Sequence, residues 1–197
     1  MGNHNPLPAT VLIGLRGSGK TTLGRLLAAR RGVQFIDLDD RTIAGSGHAS
    51  VSAFFRAAGE HAFRAAEARA LEAVLDELRS RRDGRDGGAR PGAVVALGGG
   101  TPTAPGAREL LERARADGLA RVVLLEAPAA VLGARLAAAP GDRPLLLGTD
   151  FTQEAALLGE RRMPAYRTLA DAVVSTAGDA EASVAAIESS VPGHPGT

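Results

Sequence analysis

The run Gly14-Leu-Arg-Gly-Ser-Gly-Lys-Thr21 fits the pattern G-x-x-x-x-G-K-[ST] at every fixed position. This is the strongest constraint on the fold. The pattern works only when a buried strand delivers it and a helix leaves it, so that backbone N–H groups converge on a phosphate. Lys20 is the only lysine among 23 lysines and arginines, so every other such residue is arginine. An ammonium is a compact charge on a flexible stem that reaches between β- and γ-phosphates, whereas a guanidinium is a wide planar fork. The flanks agree. Thr10-Val-Leu-Ile-Gly14 reads as a buried parallel strand, and Thr22 to Arg31 carries Leu23, Leu26 and Leu27 at helical spacing before Gly32. Gly17, Ser18, Gly19 and the helix start through Thr22 are expected to cradle a polyphosphate, with Lys20 on its charge and the Thr21 hydroxyl on Mg2+. The dinucleotide pattern G-x-G-x-x-G fails, because Gly17-Ser-Gly19 is followed by Lys20, Thr21 and Thr22. A nucleoside triphosphate is the better ligand.

Four more short apolar runs follow: Val33 to Asp37, Ala93 to Leu97, Arg121 to Leu125 and Ala172 to Ser175. Between them lie helical stretches at about Glu60 to Arg82, Pro105 to Ala116, Ala129 to Ala138 and Thr152 to Arg162. This alternation predicts a three-layer α/β domain, a mostly parallel sheet with helices on both faces. One domain over residues 1–197 is expected, with its core at about 9–176. Ligands then sit at the carboxyl ends of the strands. Arg81 to Gly92 reads as a solvated loop and Ser189 to Thr197 as a frayed tail.

Several function classes fall away. Net charge is +1, like charges form no block, and aromatics are 3% of residues, which argues against nucleic-acid binding. There is no cysteine, the four histidines are scattered, and no H-E-x-x-H occurs, so a thiolate or histidine metal site is not expected. The start, M-G-N-H-N-P-L-P, lacks a basic and an apolar signal region, and no apolar run has membrane-spanning length. A cytoplasmic chain is expected. With no exposed apolar stripe demanding a partner, so is a monomer.

The candidate site residues follow the strands. Asp37-Leu-Asp39 ends the second strand, and alternation in an extended chain would point both carboxylates to one side. One would hold magnesium through water and the other face an acceptor hydroxyl; alternatively, Asp39 or Asp40 caps the next helix. Glu60, Arg64 and Glu67 share one helical face, either as a carboxylate-held arginine for an anionic substrate or as a solvated ion-pair ladder. Gly98-Gly99-Gly100 after the third strand allows close backbone approach to a ligand, or is a plain turn.

Taken in order, D-x-D, F-R-x-x-E (Phe63 to Glu67), G-G-G, R-P-L-L (Arg143 to Leu146) and Y-R (Tyr166-Arg167) make the chain resemble the shikimate kinase family from about Val11 to Ser175. The resemblance implies a phosphate-loop kinase with a five-stranded parallel sheet and a mobile lid, at about residues 139–150. It implies transfer of the γ-phosphoryl of ATP to the 3-hydroxyl of shikimate, with Mg2+. Lys20 and Thr21 would serve the triphosphate and the metal, and Asp37 would be the metal-side acid acting through water. Asp39 would bind the substrate hydroxyls and act as base. Arg64 and Arg167 would clamp the substrate carboxylate, with Glu67 steadying the site and Gly98, Gly99 and Gly100 offering backbone contacts. Arg135 would pack on the adenine, and Arg143 would close over the transferring phosphate. Three features sit apart: the extra loop at Gly84 to Gly92, Arg16 inside the phosphate loop, and Glu126, a second possible metal-side acid. The rival readings are a same-fold kinase of another small hydroxy acid such as gluconate or of a shikimate analogue from a secondary pathway, a nucleoside monophosphate kinase, and a nucleotide-binding module without catalysis.

Overall fold

The computed structural model describes residues 7–84, 92–139 and 145–191. Its five strands are β1 (Ala9–Ile13), β2 (Phe35–Asp37), β3 (Val94–Ala96), β4 (Ala120–Glu126) and β5 (Ala172–Ser175). All pair in parallel, in the order β2-β3-β1-β4-β5. Among the described residues seven α-helices connect and follow them: α1 (Lys20–Arg31), α2 (Leu38–Ala44), α3 (Val51–Arg82), α4 (Ala107–Ala116), α5 (Ala129–Ala138), α6 (Phe151–Leu169) and α7 (Ala180–Ser190).

Strand alternation sorts the core into two layers. Val11, Ile13, Val95, Val122 and Leu124 pack with Leu71, Leu75, Leu111, Leu158 and Tyr166 from α3, α4 and α6. Leu12, Val94, Val123, Leu125 and Val174 face α1 and α7 through Leu23, Leu27, Val184 and Ile187. Each wholly buried leucine in these layers contributes about 1.5–3 kcal/mol through apolar burial. Asp171 fastens the far side of the sheet: its carboxylate accepts from Arg115 and from the Val122 N–H, both at 2.8 Å.

The helices differ from the sequence expectation in four places. α2, weighed only as the alternative in which Asp39 or Asp40 caps a helix, starts earlier, with Asp37 as its cap; seven residues are too few to show a period. α3 begins at Val51, capped by the Ser50 side chain, and is interrupted at Gly59 with φ 78° and ψ 172°, a backbone state open essentially to glycine alone. α6 runs on through Pro164 to Leu169 instead of stopping near Arg162. α7 reaches into the stretch expected to fray: Val184, Ile187 and Val191 form a buried stripe, so Ser189 to Val191 are part of the packed chain. Residues 85–91 of the expected loop, 140–144 of the expected lid and 192–197 of the expected tail lie outside the described residues. Among the described residues no helix is long and apolar enough to cross a membrane.

Candidate active site

β1 ends at Ile13, and the chain turns through three positive-φ glycines, Gly14, Gly17 and Gly19. Gly19 takes the left-handed conformation at the start of α1 and supplies no side-chain cap, so the first-turn N–H groups are left for a ligand. A Cβ on Gly14 would collide with the Leu125 carbonyl, so only glycine lets the loop lie this close to β4. Lys20 Nζ donates to the carbonyls of Gly14 and Leu15, both at 2.9 Å, which folds the ammonium back over the loop. A cleft of about 560 Å3 opens here, lined by Gly17, Gly19, Lys20, Thr21 and Thr22 together with Asp37, Asp39 and Arg135. Ser18, within the loop, is fully buried.

The two acids reach this cleft differently from the expectation. The extended chain stops at Asp37, which is the N-cap of α2: Oδ1 accepts from the Asp39 N–H at 3.1 Å. Its other oxygen accepts from Thr21 Oγ1 at 2.9 Å. Asp39 therefore arrives by a helical turn, not by strand alternation, and the capping role falls to Asp37, while Asp40 is exposed. Burial pushes the Asp37 carboxyl above the usual carboxylate range, against the pull of the Thr21 hydroxyl. Thr21 and Asp37 thus present two hard oxygens side by side, a donor set suited to Mg2+ bound partly through water and phosphate. Among the described residues no group of three or more histidine, aspartate or glutamate side chains gathers for a metal ion.

Beyond Asp39 the wall becomes cationic. Arg64 Nη1 donates to Glu67 at 2.5 Å and Nη2 to Glu60 at 3.0 Å. With Arg64 12% exposed and Glu67 0%, this is a built-in pair and not a solvated ladder. Thr101 Oγ1 holds the other oxygen of Glu67 at 2.7 Å. Burial pushes Glu67 above the usual carboxylate range, opposed by Arg64. Burial also works against the Arg64 charge, but Glu67 and Glu60 outweigh it and hold the guanidinium protonated. The glycines are needed for space: a Cβ on Gly98 would overlap the carboxylates of Glu67 and Asp39, and one on Gly100 the Arg64 guanidinium.

Arg64, Gly99, Gly100, Phe55 and Leu146 line a small second cleft, and with them stands Arg162. The sequence expectation chose Arg167 for this place, and the structure does not bring it there. Arg167 is 62% exposed and pairs with Glu126 at 3.1 Å, in a separate groove beside Leu15 and Met163. Five residues along a helix turn a side chain by about 140° from its starting face. Arg162 and Tyr166, four apart, share the inward face, and both donate to the Gly99 carbonyl. The missed signal was the continuation of α6 through Pro164; a helix ended at Arg162 hides which face points inward. Glu126, considered as a metal-side acid, faces the Arg167 groove instead of the phosphate cleft.

Arg135 reaches from α5 to the carbonyls of Gly17 at 3.3 Å and Thr176 at 2.5 Å, and lines the phosphate-loop cleft. Arg16 turns from the phosphate loop towards α6. It lines both clefts and pairs with the buried Glu154 of α6 at 3.5 Å. Neither Glu154 nor Arg162 was singled out from the sequence. Arg143 falls on residues outside those described.

A family model for shikimate kinase matches residues 16–191. The chain is 44% identical to the shikimate kinase of Thermobifida fusca over 171 residues, which cover 86% of each protein. It is 42% identical to that of Halorhodospira halophila over 174 residues, 88% of this chain and 87% of the relative. Among solved structures, shikimate kinase from Acinetobacter baumannii in complex with shikimate aligns with a TM-score of 0.76 at 29% identity, covering 93% of both chains. The order of motifs, the parallel sheet and these matches over nearly the whole length agree: the chain belongs to the shikimate kinase family.

Proposed function

We propose that this chain transfers the γ-phosphoryl group of ATP to the 3-hydroxyl of shikimate, giving ADP and shikimate 3-phosphate. One observation carries the reading: the phosphate-loop cleft passes Asp39 and Gly99 and meets a second cleft holding Arg64 and Arg162. This supports a donor-phosphate site, a carboxylate base and a paired-arginine anion site as neighbours.

Phosphoryl transfer passes through a loose transition state, so positioning and charge neutralisation dominate. The loop amides and Lys20 hold the β- and γ-phosphates, and Arg135 covers the adenine. Asp39 orients the acceptor hydroxyl and accepts its proton as the phosphoryl group leaves ATP. Arg64, preset by Glu60 and Glu67, receives the acceptor carboxylate in a charge-assisted fork. Arg162 takes the second arginine's place in that clamp, in preference to Arg167. Thr21 directly and Asp37 through water would hold Mg2+, which would supply neutralisation of phosphate charge. Arg143 retains the phosphate-closing role that the family resemblance implies. We propose a cytoplasmic enzyme, in keeping with a chain without cysteine, and a monomer.

The test is ADP formation from Mg-ATP with shikimate, quinate, gluconate or AMP as acceptor. Shikimate should drive turnover far above the rate with ATP alone. Turnover with gluconate or AMP but not shikimate would overturn the acceptor assignment.

A further inference from the structure

One carbonyl oxygen in the acceptor cleft carries two hydrogen bonds. Gly99 O accepts from Arg162 Nη1 at 2.8 Å and from the Tyr166 hydroxyl at 2.5 Å. A carbonyl has two lone pairs, so both are used, although one donor would satisfy a buried oxygen. The two donors differ in character. Tyr166 is fully buried in the core of α6, and burial pushes its phenol up to about 12, so it remains a donor across the physiological range. Arg162 lines the open cleft.

The arginines around the acceptor cleft also differ in their partners. Arg64 is paired with Glu60 and Glu67, and Arg16 with Glu154. Among the described residues, no carboxylate lies within ion-pair distance of Arg162; its hydrogen-bond partner is the neutral Gly99 carbonyl. Its charge is the one an incoming carboxylate can recruit with the least competition. If Arg162 turned away from a glycine that had no other donor, a buried oxygen would be left bare, and the Gly99–Gly100 peptide would be free to rotate. The peptide is trans, so the direction of the Gly100 N–H is set by the direction of the Gly99 carbonyl.

We propose that Tyr166 is a positioning residue: it keeps the Gly99 carbonyl satisfied while Arg162 leaves it for the acceptor's carboxylate. The arginine is then recruited to the substrate without unlocking the glycine turn beside Asp39 and Arg64. Tyr166 touches no substrate, and its effect passes through Gly99 and Arg162.

The proposal rests on the acceptor reading above, and the experiment separates the two. Tyr166→Phe keeps the ring and removes the donor. Binding and turnover are compared for shikimate and for its analogue with the carboxylate reduced to a neutral hydroxymethyl group, with thermal unfolding of each protein as a control on folding. In Tyr166→Phe, Arg162 must abandon an oxygen with no second donor. The dissociation constant and KM for shikimate should rise roughly tenfold, the scale of one unsatisfied buried acceptor. The ATP KM and kcat should stay close to those of the parent enzyme. Affinity for the neutral analogue, which gives Arg162 no reason to move, should be unchanged. Equal weakening of both ligands would reduce Tyr166 to a support of the loop. No weakening of either would mean that Arg162 binds substrate while still holding Gly99. Either result overturns the proposal. If the parent enzyme does not bind shikimate at all, the acceptor reading itself falls and this proposal falls with it.

Discussion

Arg64 donates to Glu67 across 2.5 Å, and Glu67 has no exposed surface at all. With Thr101 on its other oxygen, the carboxylate acts as a fixed seat for the guanidinium that faces the acceptor cleft. A seat of this kind is worth its cost only while Glu67 is ionised.

Glu67→Gln should therefore raise the KM for shikimate roughly tenfold, as a charge-assisted bond becomes a neutral one, with little change in the KM for ATP. The pH dependence has a definite sign. Burial raises the Glu67 carboxyl above its ordinary 4.5, so the native chain holds the proton more tightly than the unfolded chain. The stability linked to that proton is present below 4.5 and is lost as pH rises through the folded value. Shikimate affinity runs the other way, weakening as pH falls through the folded value and Arg64 is released. Titration of affinity against pH should show this acid limb in the parent enzyme, and the Gln variant should lack it.

The two arginines of α6 make a sharper test. Arg162→Ala should weaken shikimate binding by about 1.5–3 kcal/mol, some ten- to a hundredfold, and leave ATP binding nearly intact. Arg167→Ala removes an exposed ion pair with Glu126, a contact worth about 0–1 kcal/mol, and should change neither substrate's affinity. Calorimetric titration of both variants decides it. A loss confined to Arg167→Ala would restore the assignment made from sequence order.

The same pair shows where sequence reading stops. The phosphate loop, the five parallel strands and the Glu60-Arg64-Glu67 face were legible because each is a local pattern: fixed glycines, β-branched runs, a spacing of three and four. Asp39 was placed in the right cleft by the wrong geometry, since the cap made by Asp37 starts a helix where an extended chain was assumed. Arg162 was missed because the helix was drawn only to Arg162 and the Y-R motif pointed to Arg167; packing of Leu158, Tyr166 and Leu169 carries the helix on through Pro164. Glu154 sits in the first turn of α6, where an acid usually faces water, and nothing local reveals that it is 1% exposed. Such burial is decided by elements distant in sequence.

Lys20 tests the phosphate loop itself. Its Nζ lies 2.9 Å from both the Gly14 and Leu15 carbonyls, a bridge suited to one tetrahedral ammonium. Lys20→Arg retains the charge but brings a planar fork into a loop whose glycines already touch the backbones of β4 and α5. Turnover should fall by about a hundredfold or more, with circular dichroism and unfolding temperature close to the parent's. Near-normal turnover would show that any cation serves at this position.

Arg16 and Glu154 join the phosphate loop to α6. Glu154 Oε2 stands 3.5 Å from Arg16 Nη1, and its other oxygen accepts from the Leu146 N–H at 2.5 Å. The carboxylate thus ties the phosphate loop to the chain that follows residues 140–144, and Leu146 and Arg16 both line the acceptor cleft. Removing one member should cost more than removing both. Arg16→Leu leaves a buried carboxylate without its guanidinium and should destabilise the fold by about 3 kcal/mol, whereas Arg16→Leu combined with Glu154→Gln should recover most of that loss. Urea unfolding of the two single variants and the double gives the coupling energy directly. The functional readout is separate: the double variant, folded but without the tie, should show a raised KM for shikimate while retaining the parent's affinity for ATP. Additive stability losses, or an unchanged shikimate KM in the double variant, would mean that the contact at 3.5 Å does not link the loop to the acceptor cleft.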